Sequence, residues 1–399
     1  MRLVQVAARS AGIGGVETYV RSLTAWMIRQ GVECTVISGD GGAVAGATFE
    51  RVKPLARSQS TKASAEAVRE HVLRHGADVA LVHLDGGTEL FDALADAGVG
   101  TAVFVHTFAC PTVKLFRTHE TVCTHQVGVR CLWDWFAGPC GSSANPVAAW
   151  RGIRQAGAYL SRLGRVDAVV VATDFMRRYL EGEGVPKSLI SVERWLPWQQ
   201  AAGEDGHERA PMNPRHALTP RTVLFVGRLV HGKGVHHLID AMTVLGHGYV
   251  LRVVGDGWYR SALEEQVRRL RIADHVVFTG TRSGSALQAE VTAADVVAVP
   301  SVLPEPWGLV VGEAAAAGKP VVVSDVGGLP EWQERVPGVV VCRAGSAQAL
   351  ATAIEEICTG SLPAIPVAKA KVTEMDGPTV LMERLQQVAD AASLDSSRR

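Results

Sequence analysis

Two glutamates separated by seven residues, Glu305 and Glu313, flank the start of a helix that the pattern places between Trp307-Gly308 and Gly318. The apolar run Val296–Val299 and a Pro300-Ser301 loop precede it, and a strand at Lys319–Ser324 follows. Strand, loop, helix and strand in that order make a parallel α/β sheet. The start of such a helix lies at the carboxyl edge of the sheet, where ligands bind. Free N–H groups near Gly308 and Leu309 attract an anion there. Carboxylates repel phosphate, so Glu305 and Glu313 suit the hydroxyls of a sugar. The local chemistry is that of a nucleotide-sugar pocket, with phosphate on the helix end and hydroxyls on the glutamates.

Two further loops offer complementary groups. Thr222–Val226 reads as a buried strand, and Gly227-Arg228-Leu229-Val230-His231-Gly232-Lys233-Gly234 follows it, before a helix from Val235. A diphosphate leaving group needs charge neutralisation and hydrogen bonds. Arg228 supplies a bidentate fork and Lys233 a point charge; taken alone, the loop is equally a plain surface turn. The first strand, Leu3–Ala8, runs into the Ser10–Glu17 loop and then a helix to about Arg29. Glu17 stands where a dinucleotide fingerprint would need glycine, which leaves a phosphate-approaching turn or a simple tight turn. His106 closes the strand Thr101–Val105 at the same sheet edge, and His83 closes a neighbouring one, Asp78–His83. A lone histidine is more often structural, but a strand's carboxyl end favours function.

The words around these residues are specific. Glu305, Pro306, Gly308, Leu309, Glu313, Ala314, Ala316, Gly318, Pro320, Val321, Ser324, Gly327, Gly328 and Glu331 follow one signature, and Gly227, Arg228, Leu229, Lys233 and Gly234 follow a second. Both resemble the retaining family-4 glycosyltransferases of the GT-B fold (glycosyl transferases group 1); Trp307 stands where phenylalanine is usual. The resemblance is strong over Thr222–Glu331 and weak over Thr107–Pro220. It implies two Rossmann-like doubly wound α/β domains facing across a cleft. It makes Arg228 and Lys233 pyrophosphate ligands, with Gly227 in the same loop. Glu305 is implied to hold donor-sugar hydroxyls and Glu313 the ribose. Gly308 and Leu309 take the phosphate, Gly14 and Gly15 face the donor phosphates and the acceptor, and His106 lies near the transferred sugar.

The rest of the chain fits that frame. Its 399 residues suit two domains of about 200 each. A hydrophobic share of 47% supports real cores, and a formal net charge of +0 argues against a nucleic-acid partner. The start reads as a first strand rather than a secretory leader, so a cytoplasmic protein is expected. Expected boundaries are an acceptor-side domain over 1–198, a linker over 199–220, a donor domain over 221–360, and a connection with a final helix over 361–399 that returns to the first domain. A cysteine-containing insertion, 107–143, holds Cys110, Cys123, Cys131 and Cys140, with His119 and His125. No close cysteine pair is present, so a structural zinc site, disulfides and unlinked thiols all stay open. The segment is assigned to acceptor recognition. Beyond it, Pro146–Gly164 reads as a helix with Arg151, Arg154 and Arg162, and no acid occurs between Asp134 and Asp167. That face either rests on anionic lipid at the inner side of the plasma membrane, binds an acceptor phosphate, or is simply solvated.

The implied reaction is metal-independent hexosyl transfer from a UDP- or GDP-sugar to an acceptor hydroxyl, with retention. The acceptor is a glycan, a lipid-linked molecule or a small molecule, as in polysaccharide biosynthesis. No cofactor is required. No Asp-x-Asp motif occurs, so the two cations take the place of a divalent metal. Two alternatives share the fold: a nucleotide-sugar epimerase and a non-catalytic nucleotide-sugar-binding protein.

Overall fold

The computed structural model describes residues 1–10, 14–57, 61–84, 88–112, 115–117, 121–136, 140, 145–195, 220–360 and 378–396. The expected linker, except residue 220, and the connection at 361–377 lie outside the described residues, as does His119. The chain divides into two units. Residues Met1–Thr118, Cys123–Pro197 and Asp376–Arg399 form the first, and His119–Val122 with Trp198–Met375 the second.

The first unit is built on strands β1 (Arg2–Arg9), β2 (Glu33–Asp40), β3 (Thr48–Arg51), β4 (Val79–Val82), β5 (Gly100–Phe104), β6 (Ala168–Val171) and β7 (Ile190–Val192). They form one seven-stranded sheet in the order β3-β2-β1-β4-β5-β6-β7, and every pair is parallel. The strands are apolar on both faces because both faces are covered. Leu3, Val79, Leu81, Ala102 and Phe104 enter one core; the alternating Val4, Ala80, Val82 and Val103 enter the other. Helices α1 (Gly15–Arg29), α2 (Lys62–Arg74), α3 (Thr88–Asp96), α4 (Val129–Phe136), α5 (Pro146–Leu163) and α6 (Asp174–Gly182) connect them. The last helix of the chain, Thr379–Ser396, buries Leu381, Leu385, Val388 and Ala389 in the same core as α1. The buried Glu193 carboxylate fixes its start, accepting from Leu381 N–H at 2.8 Å and Trp195 N–H at 2.9 Å.

Two sequence expectations shift here. The short strand read at Arg51–Pro54 lies at Thr48–Arg51, because Lys53–Arg57 turns as a 3-10 helix around Pro54, which has no N–H for a ladder. The insertion holds a helix, α4, beyond the elements read from the sequence. Val129, Trp133 and Phe136 recur on one face of it at helical spacing, and that face is exposed.

The second unit carries β8 (Arg221–Val226), β9 (Tyr249–Val254), β10 (Val276–Gly280), β11 (Val296–Val299), β12 (Val321–Ser324) and β13 (Val339–Cys342). The order is β10-β9-β8-β11-β12-β13, again all parallel. Helices α7 (Val235–Leu245), α8 (Arg260–Leu270), α9 (Gly284–Ala293), α10 (Leu309–Ala316) and α11 (Ala347–Thr359) accompany them. In both units the strand order reverses once: between β1 and β4, and between β8 and β11. Ligands of open α/β sheets bind where the order reverses, beyond the strand carboxyl ends. The loops after β8 and β11 are the two that carry Arg228, Lys233 and Glu305.

Candidate active site

The second unit holds a partly buried ion pair. Lys233 Nζ lies 2.5 Å from Glu305 Oε1, and Ser301 Oγ donates to the same oxygen at 2.5 Å. Ser301 is fully buried and Glu305 is 9% exposed. Burial pushes the Glu305 carboxyl up, but the Lys233 charge and hydrogen bond, the Ser301 hydrogen bond and the Arg228 charge together outweigh it. The group is held below the ordinary glutamate value and is ionised at neutral pH. Arg228 is exposed. Lys233 and Glu305 therefore act as a unit, and Lys233 turns toward an incoming anion only by sharing its charge with Glu305.

Glycine contacts set this geometry. Gly234 has φ +68°, and a Cβ there would stand 1.8 Å from the Pro300 carbonyl oxygen. The Lys233 loop thus packs backbone to backbone on the Glu305 loop, and Val302 and Leu303 N–H both donate to Gly232 O at 3.0 and 2.9 Å. Gly327 has φ +63°, and a Cβ there would meet Glu305 N at 2.4 Å and Glu305 O at 2.5 Å. Gly328 N–H then donates to Glu305 O at 2.7 Å. The glycines of the signature hold the glutamate's backbone from both sides.

Glu305 is followed by Trp307 and by Gly308, the N-cap of α10, which no side chain caps. Helices α1 and α7 likewise open on glycines, Gly14 and Gly234, without a side-chain cap. By contrast Thr61, Asn145, Thr173 and Ser346 cap α2, α5, α6 and α11. The free N–H groups at Leu309 and the next residue stay open to an anion. Glu313, one turn further, is half-buried, and burial pushes its carboxyl up. Trp307, replacing the usual phenylalanine, is buried against Trp332 with ring centroids 4.5 Å apart, and its carbonyl accepts from Trp332 Nε1 at 2.6 Å. The larger ring has a dedicated partner.

The first unit presents a neutral constellation. His106 Nε2 lies 3.0 Å from His83 Nδ1, and His83 Nε2 lies 3.1 Å from Gln5 Oε1. Gln5 Nε2 donates to Thr24 Oγ1 at 2.8 Å, and Thr24 Oγ1 donates to the Val20 carbonyl at 2.7 Å. With the Gln5 amide oriented as it stands, donor and acceptor capacity assigns the protons along this chain. The Thr24 proton goes to Val20 O, so its lone pair takes a Gln5 N–H. The Gln5 oxygen then faces His83, whose Nε2 must carry hydrogen. Neutral His83 accepts at Nδ1 from His106 Nε2–H, and His106 Nδ1 is left as a bare lone pair. Burial depresses both imidazoles, His106 to about 3 and His83 well below its ordinary value, the latter also through His106. Tyr19 packs edge-on to His106 at 5.6 Å between centroids. Sequence reasoning ranked His83 below His106 and missed Gln5 and Thr24; polar residues inside an apolar strand and on a buried helix face were the available signal.

Gly14 and Gly15 begin α1, but the Glu17 carboxylate stands over Gly14, 2.1 Å from where a Cβ would be. This end of α1 is covered by its own acid, and an anion reaches it only if Glu17 swings away. All seven cysteines are free. Cys110 and Cys123 pack on the apolar core as small hydrophobic groups. Burial, then the nearby Cys110, Cys123 and Asp134, push the Cys131 thiol up. Among the described residues the only set of three ligand atoms within 4.8 Å of one another is Glu50, His71 and His75, away from the cysteines.

Two parallel doubly wound sheets, each with candidate loops at its strand-order reversal, define a Rossmann-like two-domain architecture. Residues 13–192 match the family model "Glycosyltransferase Family 4" and residues 208–370 match "Glycosyl transferases group 1". The chain belongs to the GT-B glycosyltransferases. The 2-deoxystreptamine glucosyltransferase of Streptomyces kanamyceticus is 29% identical over 314 residues, 74% of this chain and 72% of that protein. The uncharacterized glycosyltransferase MJ1607 of Methanocaldococcus jannaschii is 46% identical over 113 residues, which span only 28% of this chain and 29% of that one. Among solved structures, Anabaena Alr3699/HepE in complex with UDP matches with a TM-score of 0.66 at 18% identity, over 98% of this chain and 100% of that one. A glycosyltransferase from Rickettsia africae matches with a TM-score of 0.67 at 14% identity, over 98% of both chains. At those identities the structures speak for the fold.

Proposed function

We propose that this chain transfers a hexose from a UDP- or GDP-sugar to an acceptor hydroxyl with retention, without a catalytic metal. The observation that carries this reading is the Lys233–Glu305–Ser301 cluster beside Arg228 and the uncapped start of α10. The bond from the anomeric carbon to the diphosphate breaks, and charge builds on the leaving oxygen. Arg228, Lys233 and the N–H groups at Gly308-Leu309 stabilise that charge, which lowers the barrier. The acceptor oxygen bonds to the same face of the anomeric carbon and passes its proton to the departing phosphate. Products are a glycoside and a nucleoside diphosphate. Glu305 keeps its second oxygen for sugar hydroxyls, and Glu313 serves the ribose.

His106 takes part as a hydrogen-bond acceptor. Its bare Nδ1 receives a hydroxyl of the transferred sugar, and His83, Gln5 and Thr24 are positioning residues that hold this tautomer. The acceptor is assigned to the first unit, whose α4 and α5 expose Trp133 (71%) and Trp150 (55%) beside exposed Arg130, Arg151 and Arg154. Such a surface suits the face of an anionic membrane and a lipid-linked acceptor. Among the described residues no helix is long and apolar enough to cross a membrane.

The test is incubation with a panel of nucleotide sugars, following nucleoside diphosphate release and the anomeric configuration of the product by NMR. Release with an unchanged anomeric centre supports the reading. An inverted product, epimerised donor, or binding without turnover across the panel contradicts it.

A further inference from the structure

Far from the signature loops in sequence, the first unit gathers a second set of chemically capable groups. His71 and His75 stand one turn apart at the carboxyl end of α2, where side chains four residues apart share a face. Glu50, on the short edge strand β3, reaches both: Oε1 lies 3.1 Å from His75 Nε2 and Oε2 lies 3.5 Å from His71 Nδ1. One ligand atom from each of the three lies within 4.8 Å of the other two. We propose that Glu50, His71 and His75 form a binding site for a zinc-class divalent ion that ties β3 to α2, separate from the sugar-transfer chemistry.

Three physical points favour an ion over a pair of ordinary contacts. First, zinc bonds to imidazole nitrogen and carboxylate oxygen are about 2.0–2.1 Å, which in a tetrahedron puts neighbouring ligand atoms about 3.3–3.4 Å apart. The two separations, 3.1 Å to one carboxylate oxygen and 3.5 Å to the other, lie close to that spacing, so a small shift of the carboxylate brings one oxygen into reach of a shared ion. The longer one lies outside the usual range for an N–H···O hydrogen bond, so the carboxylate is split between two rings without a good bond to one of them. Second, two imidazoles and a carboxylate are the donor set that a borderline-soft ion selects over magnesium or calcium. Third, the last turn of a helix carries partial negative charge and favours a cation. The three side chains are 17–26% exposed, which leaves solvent access for a water in the fourth position. Arg74 opposes the site, with Nη1 3.5 Å from His71 Nδ1, but its side chain is exposed and free to swing outward. The site would also pin an edge strand of only four residues, the part of the sheet most in need of a restraint.

The test uses the full chain after chelator treatment, titrated with Co2+ and followed by absorption, with Zn2+ competition and thermal melting in parallel. Cobalt reports its ligands, which matters in a chain with seven free thiols. The site predicts one equivalent bound with d–d bands and no thiolate charge-transfer band. It also predicts a rise in melting temperature of roughly 5 °C at a hundredfold excess of Zn2+ over its dissociation constant. Glu50→Gln keeps the size of the side chain and removes the charge, and His75→Gln removes a ligand; each should weaken binding at least tenfold. Cobalt bound only with thiolate bands, no uptake at all, or variants that bind as the parent does would each overturn the proposal.

Discussion

The loops of the second unit and the histidine chain of the first solve opposite electrostatic problems. Around Glu305 the protein buries charge and compensates it at once with Lys233, Ser301 and Arg228, so the carboxylate stays ionised. Around His106 it buries titratable rings and keeps them neutral, passing hydrogen bonds through His83 and Gln5 to Thr24 and a backbone carbonyl. The first arrangement suits a group that is already charged, such as a diphosphate. The second suits hydroxyls, which need a directed lone pair rather than a field. One constellation supplies charge and the other supplies geometry.

Substitutions separate these roles. Lys233→Ala removes the nearest cation from a buried carboxylate that keeps Ser301 and Arg228, so the loss should stay below the roughly 3–5 kcal/mol of a fully buried broken pair. It should lower the melting temperature of the second unit and cut turnover by at least 100-fold, measured by calorimetry and by initial rates. The double change Lys233→Met with Glu305→Gln should recover most of the stability and none of the activity. Recovery of activity would mean that the pair is only structural.

Gly327→Ala comes next. The left-handed backbone there costs a side chain about 1–2 kcal/mol, and the new Cβ would press on both backbone atoms of Glu305. A loss of about 2–4 kcal/mol in denaturant unfolding is expected for strain and overpacking together. A neutral result would show that the Glu305 loop moves freely.

Interrupting the histidine chain should act more gently. Gln5→Met or Thr24→Val removes a buried hydrogen-bond partner, worth about 1–1.5 kcal/mol, or roughly tenfold in kcat. The decisive readout is nitrogen NMR of His106, where the parent should show hydrogen on Nε2 and the variants a mixture of tautomers. A parent protonated on Nδ1 would overturn the direction of the chain.

Acid stability probes the same ring by titration. His106 is held to about 3 in the folded unit, against about 6.5 for an unfolded histidine. The unfolded chain therefore binds more protons between those values, so stability falls as pH drops from about 6.5 toward 3 and is fully present above 6.5. His106→Gln should reduce this slope in melts across that window, and His83, depressed in the same direction, should keep part of it.

The fold and the second unit were the more legible parts. Alternating strands and helices gave the doubly wound architecture, and the glycines at 234 and 327 stood out as positions of the two signatures; the structure shows why, since close backbone approach there admits little else. The ion pair between Lys233 and Glu305 was not legible, since residues 72 positions apart are joined only by the strand order of the sheet. Ser301 was passed over as loop punctuation. The histidine chain hid for the same reason: Gln5, Thr24, His83 and His106 come from β1, α1 and the ends of β4 and β5, which only the strand order brings together. Helix α4 has helical spacing at Val129, Trp133 and Phe136; what the spacing does not tell is that this face is exposed.

The most direct measurement concerns Arg228, which is exposed and whose loss should leave the fold intact. Nucleoside diphosphate release from the preferred nucleotide sugar should be compared between the parent and Arg228→Ala, with melting temperatures measured alongside. The account predicts an unchanged melting temperature and a loss of about 100- to 1,000-fold in kcat. Equal rates in the two proteins would contradict it.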